Sequence, residues 1–320
     1  MSPMNERTDR IAGCLYGAAI GDALGSAFEF VRSEQIERHL GEPIVRDYKP
    51  AMRGSLLYPR EPGHPTDDTA MALSVASAIA GTKPLTAATF AERFLEDLDY
   101  RDGRFARMFW KGGPGGATTT ALARLKNGAD PATCGAPNDG GNGTAMRAHA
   151  VGFLADRDEV LAVAATQARV THGHPAAAAA AMAVAVLVYD AMQGIAPSEE
   201  VPAGVEDAEF AKAWRHHHRD LVPSGIRLPK QLRDVDMAAW NTVAAAHAIA
   251  CCFPGDPVTA IGVATASGGD TDTIASITGA IVGARSGIAA FPNTWLTGLS
   301  ARAAVEEALQ EVLSSERCIA

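Results

Sequence analysis

Four glycines recur at every fourth position near the start of the chain, and they restrict the possible fold more than any other feature. Gly13, Gly17, Gly21 and Gly25 lie in an apolar stretch of helical period, so they form one bare ridge along a helix. Each glycine costs such a helix about 1 kcal/mol relative to alanine. This cost is understandable if another backbone packs against the ridge. The sequence therefore predicts a helix over about 11–30 that contacts a second segment closely.

The composition also favours packed helices. Hydrophobic residues make up 47% of the sequence and aromatic residues only 6%, so the core must consist mainly of Ala, Val, Leu and Ile. Apolar stripes of helical spacing recur along the chain, and alternating β-branched strands are nearly absent. No repeat with a period of roughly 20–50 residues is convincing. We therefore expect a single all-α domain over residues 1–320, with its core at about 10–315.

Charge and cysteine content limit the partners and the compartment. The net charge of −9 argues against nucleic acid or an anionic membrane as a partner. The five cysteines are odd in number and contain no C-x-x-C pair, which favours a reduced, cytoplasmic protein. The longest apolar run, 176–188, is too short to span a bilayer, so it predicts a buried core helix and no membrane contact.

Two short acidic segments carry most of the chemistry. Residues 66–69 (Thr-Asp-Asp-Thr, the first acidic segment) and 270–273 (Asp-Thr-Asp-Thr, the second acidic segment) each precede an apolar run of helical period. A helix cap needs only one such side chain, and adjacent carboxylates repel each other unless a cation intervenes. Glycines at 268–269 would let the backbone bend sharply. Together the segments could hold two divalent ions, as in many hydrolases; two ordinary capping clusters are the alternative.

With several further motifs, these segments resemble the ADP-ribosylglycohydrolases, a family that includes the dinitrogenase reductase-activating glycohydrolase. The resemblance covers most of the chain, and its motifs occur in the family's order. They are residues 21–25 with Glu29, the first acidic segment, Gly116 with Thr118 and Thr119, residues 141–143 and 145–147, residues 171–172, and residues 268–273.

The resemblance implies an all-α, orthogonal multi-helix fold with a binuclear metal centre. The two divalent ions would be Mg²⁺, with Mn²⁺ as the alternative, and Asp272 would bridge them. A bridging carboxylate offsets the repulsion between two neighbouring dications. The residues implied as metal ligands are Thr66, Asp67, Asp68, Asp270, Asp272 and Thr273.

The implied reaction is hydrolysis of the glycosidic bond at the anomeric carbon of ADP-ribose, through an oxocarbenium-like transition state. The expected substrate is an ADP-ribosylated protein, with arginine as the first choice of linkage, or a small-molecule ADP-ribose conjugate. Asp67 or Asp68 would take the proton of the attacking water. Glu29 would contact the metals or the substrate, or serve as the acid or base. The sequence does not choose between these carboxylates.

The residues predicted to bind substrate lie outside the acidic segments. Residues 141–143 form either an ordinary Asn-Gly turn or, before a helix start, a set of N–H donors for a pyrophosphate. Trp110 would stack on adenine, close over the site, or fill the core. The histidines at 216–218 lie in a charged stretch and are predicted to be a solvated face, with opportunistic metal binding as the alternative. The resemblance adds Gly116, Thr118 and His172, for which a structural histidine is the alternative, so the full set of predicted substrate-binding residues is Trp110, Gly116, Thr118, Gly141, Asn142, Gly143 and His172.

Three other functions compete with this hypothesis. The enzyme could cleave a serine, nucleic-acid or small-molecule linkage of ADP-ribose. It could be a two-metal nucleotide phosphohydrolase, which would share the acidic segments. It could also be a non-catalytic ADP-ribose binder. A Ser-His-Asp or Cys-His hydrolase has little support, because no nucleophile elbow or strand framework is present.

Overall fold

The protein is all-α, as predicted. The computed structural model describes residues 6–99, 102–108, 114–221 and 225–319, and within them β-structure is limited to isolated bridges. The α-helices are α1 (Glu6–Gly25), α2 (Ser33–Leu40), α3 (Asp67–Ala80), α4 (Ala87–Asp97), α5 (Gly116–Lys126), α6 (Arg157–Arg169), α7 (Pro175–Met192), α8 (Ala208–His217), α9 (Ala239–Cys252), α10 (Pro257–Thr265), α11 (Thr271–Ser286), α12 (Asn293–Gly298), α13 (Arg302–Leu313) and α14 (Glu316–Ile319). Short 3₁₀ helices are Ala106–Met108, Asn142–Thr144, Ala148–Phe153, Lys230–Leu232 and Ile288–Ala290.

The glycine ridge of α1 packs directly against the backbone of α11. A Cβ atom on Gly25 would lie 2.5 Å from the Cα atom of Asp272, and one on Gly21 would lie 2.8 Å from the backbone nitrogen of Ser276. From the other side, Gly283 of α11 approaches α1 just as closely. Because backbone atoms rather than flexible side chains occupy this space, a methyl group cannot be accommodated by a rotamer change. The ridge therefore fixes the end of α1 beside the start of α11.

Helix α1 ends five residues earlier than the sequence predicted. It stops at Gly25, and residues 26–30 form a turn in which Phe30 has a left-handed backbone (φ 59°). The backbone N–H of Phe30 donates to the carbonyl of Gly269 at 2.7 Å, so a long-range contact turns the chain out of the helix. Glu29 therefore lies beyond the helix and does not share a helical face with Asp22.

Local capping signals mark several of the other helix starts. The side chains of Thr86 and Asp256 accept hydrogen bonds from the first turns of α4 and α10, and Pro175 is the first residue of α7.

By length and composition α7 could cross a membrane, alone among the described helices. However, 72% of its apolar window is buried inside the protein, as expected for a core helix.

Residues 207–218 contradict the prediction of a solvated histidine face. Asp207 caps α8, which buries Phe210, Ala213, Trp214 and His217 against the protein. His218 follows the helix and is also buried, so only His216 of the three histidines is exposed. The buried residues of α8 have the i, i+3, i+4, i+7 spacing that is typical of an amphipathic helix. Charged neighbours in the sequence made this spacing less evident.

Candidate functional site

One cavity of about 310 Å³ collects the predicted site residues, except one, from distant parts of the chain. The exception, Trp110, lies outside the described residues. The N-terminal ends of α3 and α11 form one wall of the cavity, and residues 115–118 and 141–143 form another. The predicted residues that line it are Glu29, Thr66, Asp67, Asp68, Gly116, Thr118, Gly141, Asn142, Gly143, His172, Asp270, Asp272 and Thr273. Their individual roles stay predictions.

The first acidic segment is held in place by a carboxylate of α1. Asp22, which is fully buried, accepts hydrogen bonds from the backbone N–H groups of Thr66 and Thr69 and from the hydroxyl of Thr69. Thr66 is the N-cap of α3, and its hydroxyl accepts from the backbone N–H of Asp68 at 3.2 Å. The capping interpretation thus holds for Thr66. It leaves the two carboxylates of the segment unexplained.

The carboxylates of Asp67 and Asp68 line the cavity and make few hydrogen bonds. Asp68 is buried, and its Oδ2 atom has no hydrogen-bond partner among the described residues. Asp67 is half-buried, and its Oδ2 atom accepts a long hydrogen bond, 3.4 Å, from the backbone N–H of Gly115. A buried acceptor without a donor costs free energy, roughly 1–3 kcal/mol, and needs an explanation.

The second acidic segment begins with two glycines in the left-handed region. Gly268 and Gly269 have φ values of 77° and 76°, which favour glycine. This bend brings Asp270 to the side-chain amide of Asn142, which donates to its carboxylate. Asp270 is the N-cap residue of α11 but makes no side-chain capping bond. The hydroxyl of Thr271 donates to the carbonyl of Gly25 at 2.8 Å, so this segment also rests on α1.

Both carboxylates of the second acidic segment meet Glu29 in one buried group. Oxygen atoms of Glu29, Asp270 and Asp272 all lie within 4.8 Å of one another, and all three residues are buried. Burial, and then repulsion by Asp270 and Asp67, raises the pKa of Glu29 to about 8. Burial, reinforced by negative neighbours, also raises the pKa of Asp67 to about 6 and those of Asp68 and Asp272 well above their ordinary value.

Arg60 brings positive charge to the same wall. Its side chain is buried, and its guanidinium donates to the backbone carbonyls of Pro65 and Met108. Burial lowers the pKa of Arg60, while the surrounding carboxylates oppose this shift. One guanidinium cannot balance Glu29 and the aspartates of both segments at once.

The donor set fits divalent cations. Buried carboxylates with raised pKa values are stable in the ionised form only when cations compensate them. The bare Oδ2 atom of Asp68 and the group formed by Glu29, Asp270 and Asp272 supply the oxygen ligands that hard divalent ions prefer. The arrangement therefore suits metal ions better than it suits a set of ion pairs.

The wall formed by residues 141–143 has few free backbone donors. The backbone N–H of Asn142 donates to the carbonyl of Met237 at 3.1 Å, and that of Gly141 donates to Asp139 at 3.4 Å. These N–H groups are therefore already engaged, which reduces the set of donors that the sequence predicted for a pyrophosphate. The side chain of Asn142, held by Thr242 and Asp270, supports the second acidic segment.

His172 completes this wall as a neutral ring. Its Nδ1 atom lies 2.8 Å from the hydroxyl of Thr171, which in turn accepts from the fully buried guanidinium of Arg147. Burial, helped by the positive charge of Arg147, lowers the pKa of His172 to about 3. A Cβ atom on Gly143 would lie 2.9 Å from the ring, so the glycine lets the imidazole approach the backbone. His172 can therefore exchange hydrogen bonds but carries no charge at neutral pH.

Comparison with known proteins decides the family. The model of the ADP-ribosylglycohydrolase family matches residues 3–318. The chain is an ADP-ribosylglycohydrolase. It is 27% identical to the ADP-ribosyl-dinitrogen reductase glycohydrolase of Rhodospirillum rubrum, over 91% of this chain and 90% of that protein. It is 25% identical to the ADP-ribosylarginine hydrolase Tri1 of Serratia proteamaculans, over 93% of this chain and 77% of that protein.

A solved structure agrees with this family. It is titled an ADP-ribosylglycohydrolase-related protein complex, and it superposes with a TM-score of 0.71 at 30% identity, covering 98% of this chain and 100% of that one. This ADP-ribosylglycohydrolase is thus a hydrolase of glycosidic linkages of ADP-ribose. The family uses divalent metal ions, in agreement with the group formed by Glu29, Asp270 and Asp272.

Sequence reasoning missed several residues of this ADP-ribosylglycohydrolase site. Asp22 and Arg60 contribute to the site through contacts that form only in the folded protein, so no local sequence pattern reveals them. Three side chains at the cavity mouth were also missed: Phe30, Leu56 and Met237, which are 42%, 61% and 49% exposed. They are three of the six large hydrophobic residues that are exposed in the described parts of the chain, so half of these residues line this cavity. We call these three residues the apolar rim.

Proposed function

We propose that this ADP-ribosylglycohydrolase releases ADP-ribose from arginine side chains of modified proteins, using two divalent ions, Mg²⁺ or alternatively Mn²⁺. One observation carries the proposal: both acidic segments, about two hundred residues apart, line one cavity together with Glu29. The residues that would hold the ions are Thr66, Asp67, Asp68, Asp270, Asp272 and Thr273. When bound, the ions would orient the ribose hydroxyls and lower the pKa of a water molecule.

The protein's own carboxylates would move the protons. Asp67 or Asp68 would accept a proton from the water whose oxygen attacks the anomeric carbon. The bond from that carbon to the guanidinium nitrogen breaks, the leaving nitrogen takes up a proton, and ADP-ribose and arginine are released. Glu29, which lies within 4.8 Å of Asp270 and Asp272, would either contact the ions or donate that proton. Neutral His172 and the backbone at 141–143 would position the nucleotide.

Three observations support arginine on a protein as the acceptor. The name of the Serratia relative specifies ADP-ribosylarginine, and that of the Rhodospirillum relative specifies a modified protein. A cationic guanidinium suits a cavity rich in carboxylates. The apolar rim and the net charge of −9 suit a polypeptide better than a nucleic acid, whose phosphates would be repelled.

Turnover of defined substrates tests the proposal. The protein would be incubated with Mg²⁺ or Mn²⁺ and with peptides ADP-ribosylated on arginine or on serine, and the products would be weighed by mass spectrometry. We expect intact ADP-ribose and unmodified arginine peptide, and we expect no turnover after a chelator is added. The serine peptide is the matched control for the linkage.

Each alternative gives a distinct result. Cleavage of free ADP-ribose into nucleotide and phosphate-bearing fragments would indicate a phosphohydrolase. Faster release from serine than from arginine would overturn the arginine assignment but keep the family chemistry. Binding of ADP-ribose without turnover of any linkage would indicate a non-catalytic binder.

A further inference from the structure

A second group of metal-ligating side chains lies outside the cavity described above. It contains His218, which follows α8, and His247 and Cys251 on α9. The Nε2 atom of His218 lies 2.8 Å from Nδ1 of His247. The sulfur of Cys251 lies 3.7 Å from Nδ1 and 3.6 Å from Nε2 of His247. One ligand atom from each residue lies within 4.8 Å of the other two.

The fold orients all three side chains. His247 and Cys251 are four residues apart on α9, so they share a helical face, a spacing also used by paired helical metal ligands. The Nδ1 atom of His218 lies 2.8 Å from the carbonyl of Trp214 and is placed to donate to it, which directs the lone pair of Nε2 toward His247. The indole of Trp214 stacks on both imidazoles, with centroids 4.3 and 4.7 Å apart.

We propose that His218, His247 and Cys251 form a binding site for a zinc-class transition-metal ion, separate from the oxygen-lined cavity. Two nitrogens and one thiolate match the preference of Zn²⁺, whereas Mg²⁺ prefers oxygen ligands. Tetrahedral coordination with ordinary bond lengths places nitrogen and sulfur about 3.6 Å apart, and two nitrogens about 3.3 Å apart. The distances from the Cys251 sulfur to the two ring nitrogens of His247, 3.7 and 3.6 Å, are close to this sulfur–nitrogen value. The nitrogens of the two imidazoles, Nε2 of His218 and Nδ1 of His247, need to separate by roughly 0.5 Å. Their mutual hydrogen bond is then replaced by bonds to the metal ion.

Protonation and access also suit this ion. Burial lowers the pKa of His218 to about 4 and that of His247 well below its ordinary value, so both are neutral ligands at pH 7. Burial, and then the neighbouring Cys252 and Glu199, raises the pKa of the Cys251 thiol to about 12, so metal binding must release its proton. His247 also lines a cavity of about 230 Å³, which provides an entry path and room for a fourth, solvent ligand.

Cobalt serves as the spectroscopic probe for this site. The full-length protein would be stripped with a chelator, saturated with Mg²⁺ to fill oxygen-donor sites, and titrated with Co²⁺. We expect one equivalent to produce a thiolate-to-cobalt charge-transfer band in the near ultraviolet, and Zn²⁺ to displace it. An ion bound only by carboxylates gives no such band, so this readout does not depend on the proposed hydrolase activity.

Two serine variants locate the thiolate. Cys251→Ser should abolish the band and weaken Zn²⁺ binding at least tenfold, whereas the neighbouring control Cys252→Ser should leave both unchanged. Circular dichroism would verify that both variants are folded. Absence of the band in the native protein overturns the proposal without reference to any variant. Persistence of the band in Cys251→Ser, or its loss in Cys252→Ser, also overturns it.

Discussion

The two acidic segments are near-copies in sequence, but the fold holds them in different ways. The first rests on a side chain, because Asp22 of α1 accepts two backbone N–H groups and a hydroxyl from it. The second rests on backbone geometry, through left-handed Gly268 and Gly269 and the close contact of Gly25 with α11. The side chain of Asn142, from a third part of the chain, also donates to this segment.

Helix α1 is the element that both segments share. Asp22 and Gly25 lie within one turn of each other, and each contacts a different segment. Local sequence therefore supplies the oxygen atoms, whereas α1 sets the distance between the two groups of oxygens. Because the two segments are supported in different ways, we expect substitutions in the two supports to have different effects on metal affinity, turnover and stability.

The largest effect is expected from the segments themselves. Asp272→Asn removes a carboxylate charge from the centre of the site, so we expect kcat/KM to fall by about 10³ or more, together with metal affinity. Steady-state kinetics and metal titration would measure both. Asp256→Asn is the matched control, because Asp256 caps α10 away from the cavity and Asn is also a good cap; it should keep turnover within a few-fold. Full turnover and metal affinity in Asp272→Asn would refute the metal-dependent account.

The backbone support should be sensitive to a single methyl group. In Gly25→Ala the new Cβ atom would lie 2.5 Å from Cα of Asp272 and 2.6 Å from its nitrogen, so α11 must move. We expect the free energy of unfolding to fall by about 3 kcal/mol or more. Gly255→Ala is the control, since its Cβ atom would meet nothing within 4 Å. Equal denaturant midpoints for the two variants would contradict the close contact of α1 and α11.

Substitution of the side-chain supports separates the two segments. Asp22→Asn and Asn142→Ala should each weaken metal binding about 10–100-fold, as loss of groups that orient ligands usually does. Asp22→Asn should also lower stability by about 1–3 kcal/mol, because buried N–H groups of the first segment lose their charged acceptor. Calorimetric Mn²⁺ titration and thermal unfolding would test this. If Asp22→Asn bound metal normally, the first segment would not need its support.

The smallest effect is a dependence of metal affinity on pH. The pKa of Glu29 is raised from 4.5 to about 8 without metal, and a ligand must lose its proton to bind an ion. Apparent Mg²⁺ affinity should rise roughly tenfold from pH 6 to pH 7 and level off above about pH 8. The metal-free fold favours protonated Glu29, so its stability should decrease as the pH rises from about 4.5 to about 8. Affinity independent of pH would show that Glu29 is not near the ions.

Short-range signals were sufficient for much of the fold and for the oxygen-bearing residues. Caps at Thr86 and Asp256 and the proline at 175 place helix starts, because each acts within one helical turn. The glycine ridge predicted a close backbone neighbour, although its partner, α11, lies far along the chain. The resemblance to the family then assigned motifs that are distant in the sequence to one site, which local patterns alone could not do.

Long-range contacts account for what the sequence did not reveal. The role of Asp22 depends on α3 lying beside α1, and the end of α1 depends on a hydrogen bond between Phe30 and Gly269. The apolar rim is recognisable only from exposure in the folded protein. The burial of His217 and His218 was missed because their charged neighbours suggested solvent, although the apolar spacing of α8 was present in the sequence.

The central claim is that the two acidic segments hold divalent ions jointly. A crystal structure of the protein soaked with Mn²⁺ and recorded for anomalous scattering tests this most directly. We expect two strong anomalous peaks inside the cavity, contacted by carboxylates of both the first and the second acidic segment. Saturating Mn²⁺ that gives no peak there, or peaks contacted by only one segment, would contradict it.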